Sequence, residues 1–192
     1  MDSNTSEAYP LDRRHSILVV VDVQESLIGI IPEGARLAAR VRFLVRCAAV
    51  LGIPVIATTQ NAARLGRTVD LVHDALPGSS ATLDKKSFSA FRDDAFRAAL
   101  EASGRSQVVV CGVETHICVA QTAIDLRQAG YTVTVAADAA GARSVERHKL
   151  GMERIRDLGV LPAAAEAVAY EWLGEAGTHE FRAVLPLVKE LS

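Results

Sequence analysis

Several features are scarce in this sequence, and each scarcity removes a class of function. Among 192 residues there are only three cysteines, Cys47, Cys111 and Cys118, an odd number with no CxxC spacing. That excludes a disulfide framework and the commonest cysteine-based zinc or redox motifs. Neither sign of charge dominates: 21 Lys and Arg against 23 Asp and Glu leave a net charge of −2. There is thus no electrostatic reason to propose a nucleic acid or an acidic membrane surface as partner. No apolar run reaches the length that spans a bilayer, and no signal-peptide pattern is present. With three unpaired cysteines, the expectation is a cytoplasmic protein with reduced thiols. The five histidines fall at no metal-ligand spacing. There is no internal repeat or low-complexity tract, and the run AAAEAVA reflects helix propensity.

What is present is a core-forming chain, 49% hydrophobic, of a length that favours one domain. Residues 1–15 are polar and read as a flexible N-terminal segment; residues 16–192 read as a single domain. Ser16 to Val21 (SILVVV), all apolar after its first residue, is a strand of the kind buried on both faces of a parallel sheet. It ends at Asp22. A helix is predicted from Pro32-Glu33 to about Leu51, stopped by Gly52. A second strand, Ile53 to Ala57, ends at Thr58-Thr59-Gln60. Residues 61–80 read as an irregular loop, broken by Gly66, Pro77 and Gly78. A short strand near Ala81 to Leu83 delivers Asp84, Lys85 and Lys86, and a helix follows from about Asp93 to Ser103.

The most informative stretch is QVVVCGVETHICVAQTAIDLRQAG, residues 107–130. Val108 to Cys111 reads as a strand, Val113-Glu114-Thr115 as a turn, and His116 onward as a helix with Ile117, Ala120, Ala123 and Ile124 at spacings of three and four. Beyond it come a strand from Tyr131 to Ala136 ending at Asp138, a helix from about Val145 to Leu158, a short strand at Val160-Leu161, and helices over 163–173 and 178–190. Alternating strands and helices predict an α/β fold: a three-layer, doubly wound, mostly parallel sheet of about six strands flanked by helices. In such sheets ligands bind at the carboxyl ends of strands. Asp22, Gln60, Lys85 and the turn from Gly112 to Cys118 all lie at predicted strand ends.

Cys118 falls in the first turn of its helix, beside unpaired N–H groups and the positive end of the helix dipole, a setting expected to lower a thiol pKa. It is the candidate nucleophile. Asp22 is a candidate base, and a nearby lysine would favour both anions. Each residue also has a plainer reading. A free cysteine is often a small buried hydrophobe, as Cys47 and Cys111 read here; an aspartate after a strand often caps a turn; and a Lys-Lys pair is often solvated. Asp138 reads as such a cap, paired with Arg143. His116 is two residues from Cys118, and positions i and i+2 of a helix do not face each other, so no Cys–His dyad is predicted.

These residues also carry a resemblance. VVVDVQE (19–25), GIPVIATTQN (52–61), KKSFSAF (85–91), GVETHICVAQTAIDLRQAGY (112–131), ADAAGARS (137–144) and the tail EAVAYEWLGEAGTHEF resemble the isochorismatase-like cysteine hydrolases, in particular the isochorismatase domain-containing proteins. The likeness covers nearly the whole chain after residue 15. It implies a catalytic triad of Asp22, Lys85 and Cys118, with Lys85 preferred to Lys86 because it lies three residues before Phe88. It implies a cis peptide between Val113 and Glu114 and an oxyanion hole from the N–H groups of Glu114 and Cys118. Gln24, Gln60 and Phe88 are the implied substrate-pocket residues. It also implies a small-molecule amide substrate, no cofactor, and assembly into a homo-oligomer. Metal-binding nicotinamidases of the family carry Asp-x-His after the second strand; Gln60 and Ala62 stand there in this chain, so no metal is expected. Isochorismatases proper cleave a vinyl ether without a cysteine nucleophile, so Cys118 argues for amide chemistry instead. A catalytically idle binding protein and a vinyl-ether hydrolase using Asp22 remain the alternatives.

Overall fold

Six parallel strands form one sheet in a computed structural model that describes residues 10–191. They are β1 (Ser16–Val21), β2 (Val55–Gln60), β3 (Ala81–Lys85), β4 (Gln107–Val113), β5 (Thr132–Gly141) and β6 (Leu161–Ala163), in the order β3-β2-β1-β4-β5-β6. Every neighbouring pair is parallel, so the sheet needs helical crossovers on its faces. The helices are α1 (Glu25–Ile28), α2 (Gly34–Leu51), α3 (Ala62–Leu65), α4 (Asp70–His73), α5 (Asp94–Ala102), α6 (Ala120–Gln128), α7 (Val145–Asp157), α8 (Ala165–Leu173) and α9 (His179–Lys189).

The alternation along β1 builds two cores. Leu18 and Val20 pack on one face with Val41, Leu44 and Ala48 of α2 and with Val168 and Trp172 of α8. Ile17, Val19 and Val21 pack on the other with Phe96 and Leu100 of α5, Ala123 and Leu126 of α6, and Ile155 of α7. The doubly wound, three-layer expectation is met. The chain winds outward from β1 through β2 to β3, then returns to β4 on the other side of β1. The winding reverses at the carboxyl ends of β1 and β4, the place where open α/β sheets bind their ligands.

Several boundaries differ from the sequence expectation. The segment read as flexible falls for residues 1–9 outside the described residues. From Pro10 onward the chain is anchored: Leu11 is buried, its N–H donates to Glu171 at 2.9 Å, and that of Asp12 donates to the Gln107 side chain at 2.7 Å. Residues 61–80 contain α3 and α4, and Thr68, between the two, forms an isolated antiparallel bridge with Gln24. Strand β5 runs on to Gly141 because it bulges: Val110 pairs Val135, yet Gly112 pairs Ala140. Asp138 lies inside that bulge, not beyond the strand. Its carboxylate accepts from the N–H of Ala165 at 2.7 Å, capping α8, and pairs with Arg40 at 3.1 Å. It is structural, as read from the sequence, but its partner is Arg40 and not Arg143.

One glycine sets how closely the ends of β1 and β4 approach. Gly112 has φ +114°, and a Cβ there would lie 2.0 Å from the carbonyl oxygen of Val21. Only glycine lets β4 run this close to the end of β1.

Candidate active site

Asp22 follows β1 directly, with φ 52°, a left-handed conformation that aspartate tolerates better than most residues. It is fully buried. Its N–H donates to the carbonyl of Thr58 at 3.1 Å, and one carboxylate oxygen accepts the Thr58 hydroxyl at 2.7 Å. The other accepts Lys85 Nζ at 2.7 Å. Lys85 ends β3 and is 1% exposed. Its ammonium also donates to the Gln60 side-chain carbonyl at 2.8 Å and to the backbone carbonyls of Ser87 and Phe88 at 3.2 and 3.3 Å. Of the two adjacent lysines, Lys85 is the one that enters the site; Lys86 is exposed. A buried carboxylate–ammonium pair is a poor device for stability alone, since desolvating both ions offsets most of their attraction.

The nucleophile candidate arrives from β4. The Val113–Glu114 peptide bond is cis, and Thr115–Val119 then forms a π-helical turn that leads into α6. Cys118 sits in this turn, 6% exposed. Contrary to the sequence expectation, its thiol pKa is not lowered. Burial, then the charge of Asp22, push it up to about 12, and Lys85 opposes them only in part. The helix-start argument fails because the thiol is desolvated and faces a carboxylate. Cys47 and Cys111 are pushed up by burial alone or nearly so, as inert core thiols are.

The proposed pocket residues take different places. Gln24 is fully buried and both ends of its amide engage backbone: its Oε1 accepts the Gln60 N–H at 2.7 Å, and its Nε2 donates to the Gly66 carbonyl at 2.6 Å. Gln60 gives its carbonyl to Lys85 and its amide to the Lys86 carbonyl at 2.8 Å. Both therefore brace the loops around Lys85. Phe88 contributes its carbonyl, and its side chain is outward, with the residue 54% exposed. The ring Nδ1 of His116 is buried without a hydrogen-bond partner among the described residues, and no hydrogen bond joins it to Cys118. No group of three or more His, Cys, Asp and Glu among the described residues could hold a metal ion.

Two contributors were not singled out from the sequence. Thr58 holds the second oxygen of Asp22; the polar end of β2, Thr58-Thr59-Gln60, was its only signal. Glu114 was noted for its N–H, but its carboxylate takes three hydrogen bonds from Arg143, one from the backbone N–H at 2.9 Å and two from the guanidinium at 3.1 and 2.7 Å. Burial alone would raise the Glu114 pKa; the Arg143 hydrogen bonds outweigh it and hold the group below its ordinary value.

Comparison with known proteins places this geometry. A family profile described as Isochorismatase domain matches residues 16–167. The chain is 32% identical to the secreted isochorismatase effector Isc1 of Phytophthora sojae, over 99% of this chain and 92% of that protein. It is 33% identical to isochorismatase domain-containing protein 2 of Xenopus laevis, over 94% and 86%. Its fold superposes on the MAR1 ribonuclease structure from Caenorhabditis elegans with a TM-score of 0.90, at 28% identity, covering 94% and 93% of the two chains. With the profile spanning most of its length and relatives above 30% identity covered almost end to end, this chain belongs to the isochorismatase family of hydrolases.

Proposed function

We propose that the protein is a cysteine hydrolase that cleaves the C–N bond of a small amide through a thioester on Cys118. The observation that carries this reading is the buried Lys85–Asp22 pair, 2.7 Å apart, set against a protonated buried thiol. A thiol held this far from ionisation needs a base at the moment of attack, and Asp22 is the carboxylate beside it.

In this mechanism Asp22 takes the thiol proton as sulfur adds to the carbonyl carbon. The C–S bond forms and the carbonyl π pair moves to oxygen, where the N–H groups of Glu114 and Cys118 hold it. Collapse breaks the C–N bond, and Asp22 returns its proton to the departing amine. Water then adds to the thioester as Asp22 removes a proton from it. The C–S bond breaks, releasing the acid, and the proton goes back to sulfur. Lys85 keeps the carboxylate oriented while its charge comes and goes.

A second reading is favoured by the name of the Phytophthora relative: hydrolysis of a vinyl ether, with Asp22 as proton donor and no role for the thiol. Incubating wild type and Cys118→Ala with a panel of small amides, isochorismate and RNA separates the readings. Ammonia or amine release, with an acyl adduct by mass spectrometry, that is lost in Cys118→Ala supports the amidase. Isochorismate turnover that survives the substitution replaces it with the second. Absence of turnover on every substrate would leave a binding protein.

A further inference from the structure

The turn that presents Cys118 is gripped from one side. Glu114 follows the last residue of β4, and Arg143 lies two residues beyond the end of β5, where Val113 pairs with Gly141. Neighbouring strand ends thus bring the two together across 29 positions of sequence. The Glu114 side chain is 6% exposed, and the Arg143 guanidinium meets it in a fork, with Nη2 on one oxygen and Nε on the other. The backbone N–H of Arg143 adds a third hydrogen bond. A bidentate arginine–carboxylate pair fixes direction as well as distance, which a lysine cannot do.

The backbone of Glu114 is occupied on its other side. Its carbonyl accepts the N–H groups of Ile117 at 3.0 Å and Val119 at 3.2 Å, which flank Cys118. Its own N–H donates to no backbone carbonyl among the described residues. Residue 114 therefore has side chain and carbonyl fixed while its N–H is left over at the head of the nucleophile turn.

We infer that Arg143 is a positioning residue for the oxyanion site: by clamping the Glu114 carboxylate, it fixes where the Glu114 N–H points relative to Cys118. The inference rests on the cysteine-hydrolase reading and adds a residue to it. Arg143 touches neither the thiol nor the reacting carbonyl. Its loss weakens addition to a carbonyl, which places negative charge on oxygen, and spares reactions of the thiol that build no oxyanion.

Two reactions of Cys118 tell these apart. A small aldehyde, carbonyl-labelled acetaldehyde, forms a tetrahedral adduct: the C–S bond forms, the π pair moves to oxygen and Asp22 takes the thiol proton, so the charge stays on that oxygen. Its adduct is read by carbon NMR, with Cys118→Ala as blank. Iodoacetamide alkylates the same sulfur by displacing iodide, without an oxyanion. In Arg143→Ala the aldehyde adduct should weaken by about tenfold or more, as expected for a displaced oxyanion donor, while the alkylation rate is nearly unchanged. Arg143→Lys should recover only part of the aldehyde affinity, and it serves as the test variant if Arg143→Ala does not fold. Equal aldehyde affinity in variant and wild type overturns the inference. So does a parallel fall in both reactions, which would mark Arg143 as generally structural, or a wild-type Cys118 that is alkylated but forms no adduct. A wild type in which Cys118 undergoes neither reaction sinks the nucleophile reading itself.

Discussion

The hydroxyl oxygen of Thr122 accepts the N–H of Ala90 at 2.9 Å, joining the segment after Lys85 to the helix that follows Cys118. Thr122 is fully buried and lies one turn beyond the cysteine. Ser87 and Phe88, whose carbonyls hold the Lys85 ammonium, lie within the same tethered segment. Thr122→Val keeps the shape and leaves a buried N–H unpaired, so a loss of about 1–3 kcal/mol is expected in urea unfolding. Turnover should fall more than stability explains, because the lysine loop shifts against the nucleophile, and Thr122→Ser should restore both. A valine variant as active and stable as wild type would show the tie to be idle.

The Asp22–Lys85 pair should behave as a coupled unit. Lys85→Met leaves a buried carboxylate without its cation, and Asp22→Asn leaves the ammonium without its anion. Each should cost about 3–5 kcal/mol. In the double variant both charges are gone, so the combined cost should fall well short of the sum. Urea titrations of the four proteins measure the coupling; strictly additive costs would mean that the two groups are not paired in solution. All three variants should lack turnover.

The frame of this site was readable from the chain. Ile17 to Val21 is apolar without interruption, as expected of a strand covered on both faces, and Asp22 is the first charge after it. The 112–118 turn is readable from the change of a strand pattern into a helical one, and the choice of Lys85 over Lys86 through the motif resemblance. What escaped reading depended on neighbours distant in sequence. Arg143 looked like a partner for Asp138, five residues away, but the bulge in β5 turns Asp138 toward Arg40 and the alignment of β4 with β5 hands Arg143 to Glu114. The Cys118 pKa departs from the sequence expectation because a helix start is visible in sequence and burial beside a carboxylate is not. Gln24 and Gln60 read as pocket residues; the Gln24 side chain's bonds to the Gln60 backbone, across 36 positions, and the Gln60 amide's bond to the Lys86 carbonyl, across 26, have no signal in the sequence.

Gly151 of α7 lies against the nucleophile turn. A Cβ at this position would fall 2.9 Å from both Cα and N of His116 and 3.1 Å from the carbonyl carbon of Thr115. All of these are backbone atoms, so no side chain can swing aside. In an open helix interior, Gly→Ala stabilises by about 0.5–1 kcal/mol. Here the sign should reverse, with a cost of about 1–3 kcal/mol from overpacking and a drop in turnover as the turn is pushed toward the sheet. Thermal unfolding of Gly151→Ala checks the sign directly; a more stable variant would mean that α7 sits more loosely on the turn than described.

The reactivity of Cys118 should show an inverted dependence on Asp22. Alkylation follows the thiolate fraction. With the thiol pushed up to about 12, the wild-type rate should climb through neutral and alkaline pH without levelling off near the ordinary value of 9.0. Folding stability follows the same linkage: a raised native pKa contributes stability that is intact below 9.0 and lost as pH rises toward about 12. After burial, the charge of Asp22 is the largest cause that raises this thiol, joined by its hydrogen bond and by the charge of Glu114, while Lys85 works the other way. Asp22→Asn removes the charge and leaves the lysine. The thiol pKa should therefore drop, and iodoacetamide should react faster at every pH below the wild-type value, while amide turnover is lost for want of a base. A variant that loses turnover yet gains a more ionised nucleophile would separate two roles of one carboxylate: suppressing the resting thiolate, and taking its proton when substrate arrives. Slower alkylation in Asp22→Asn would show instead that the carboxylate does not raise the thiol pKa.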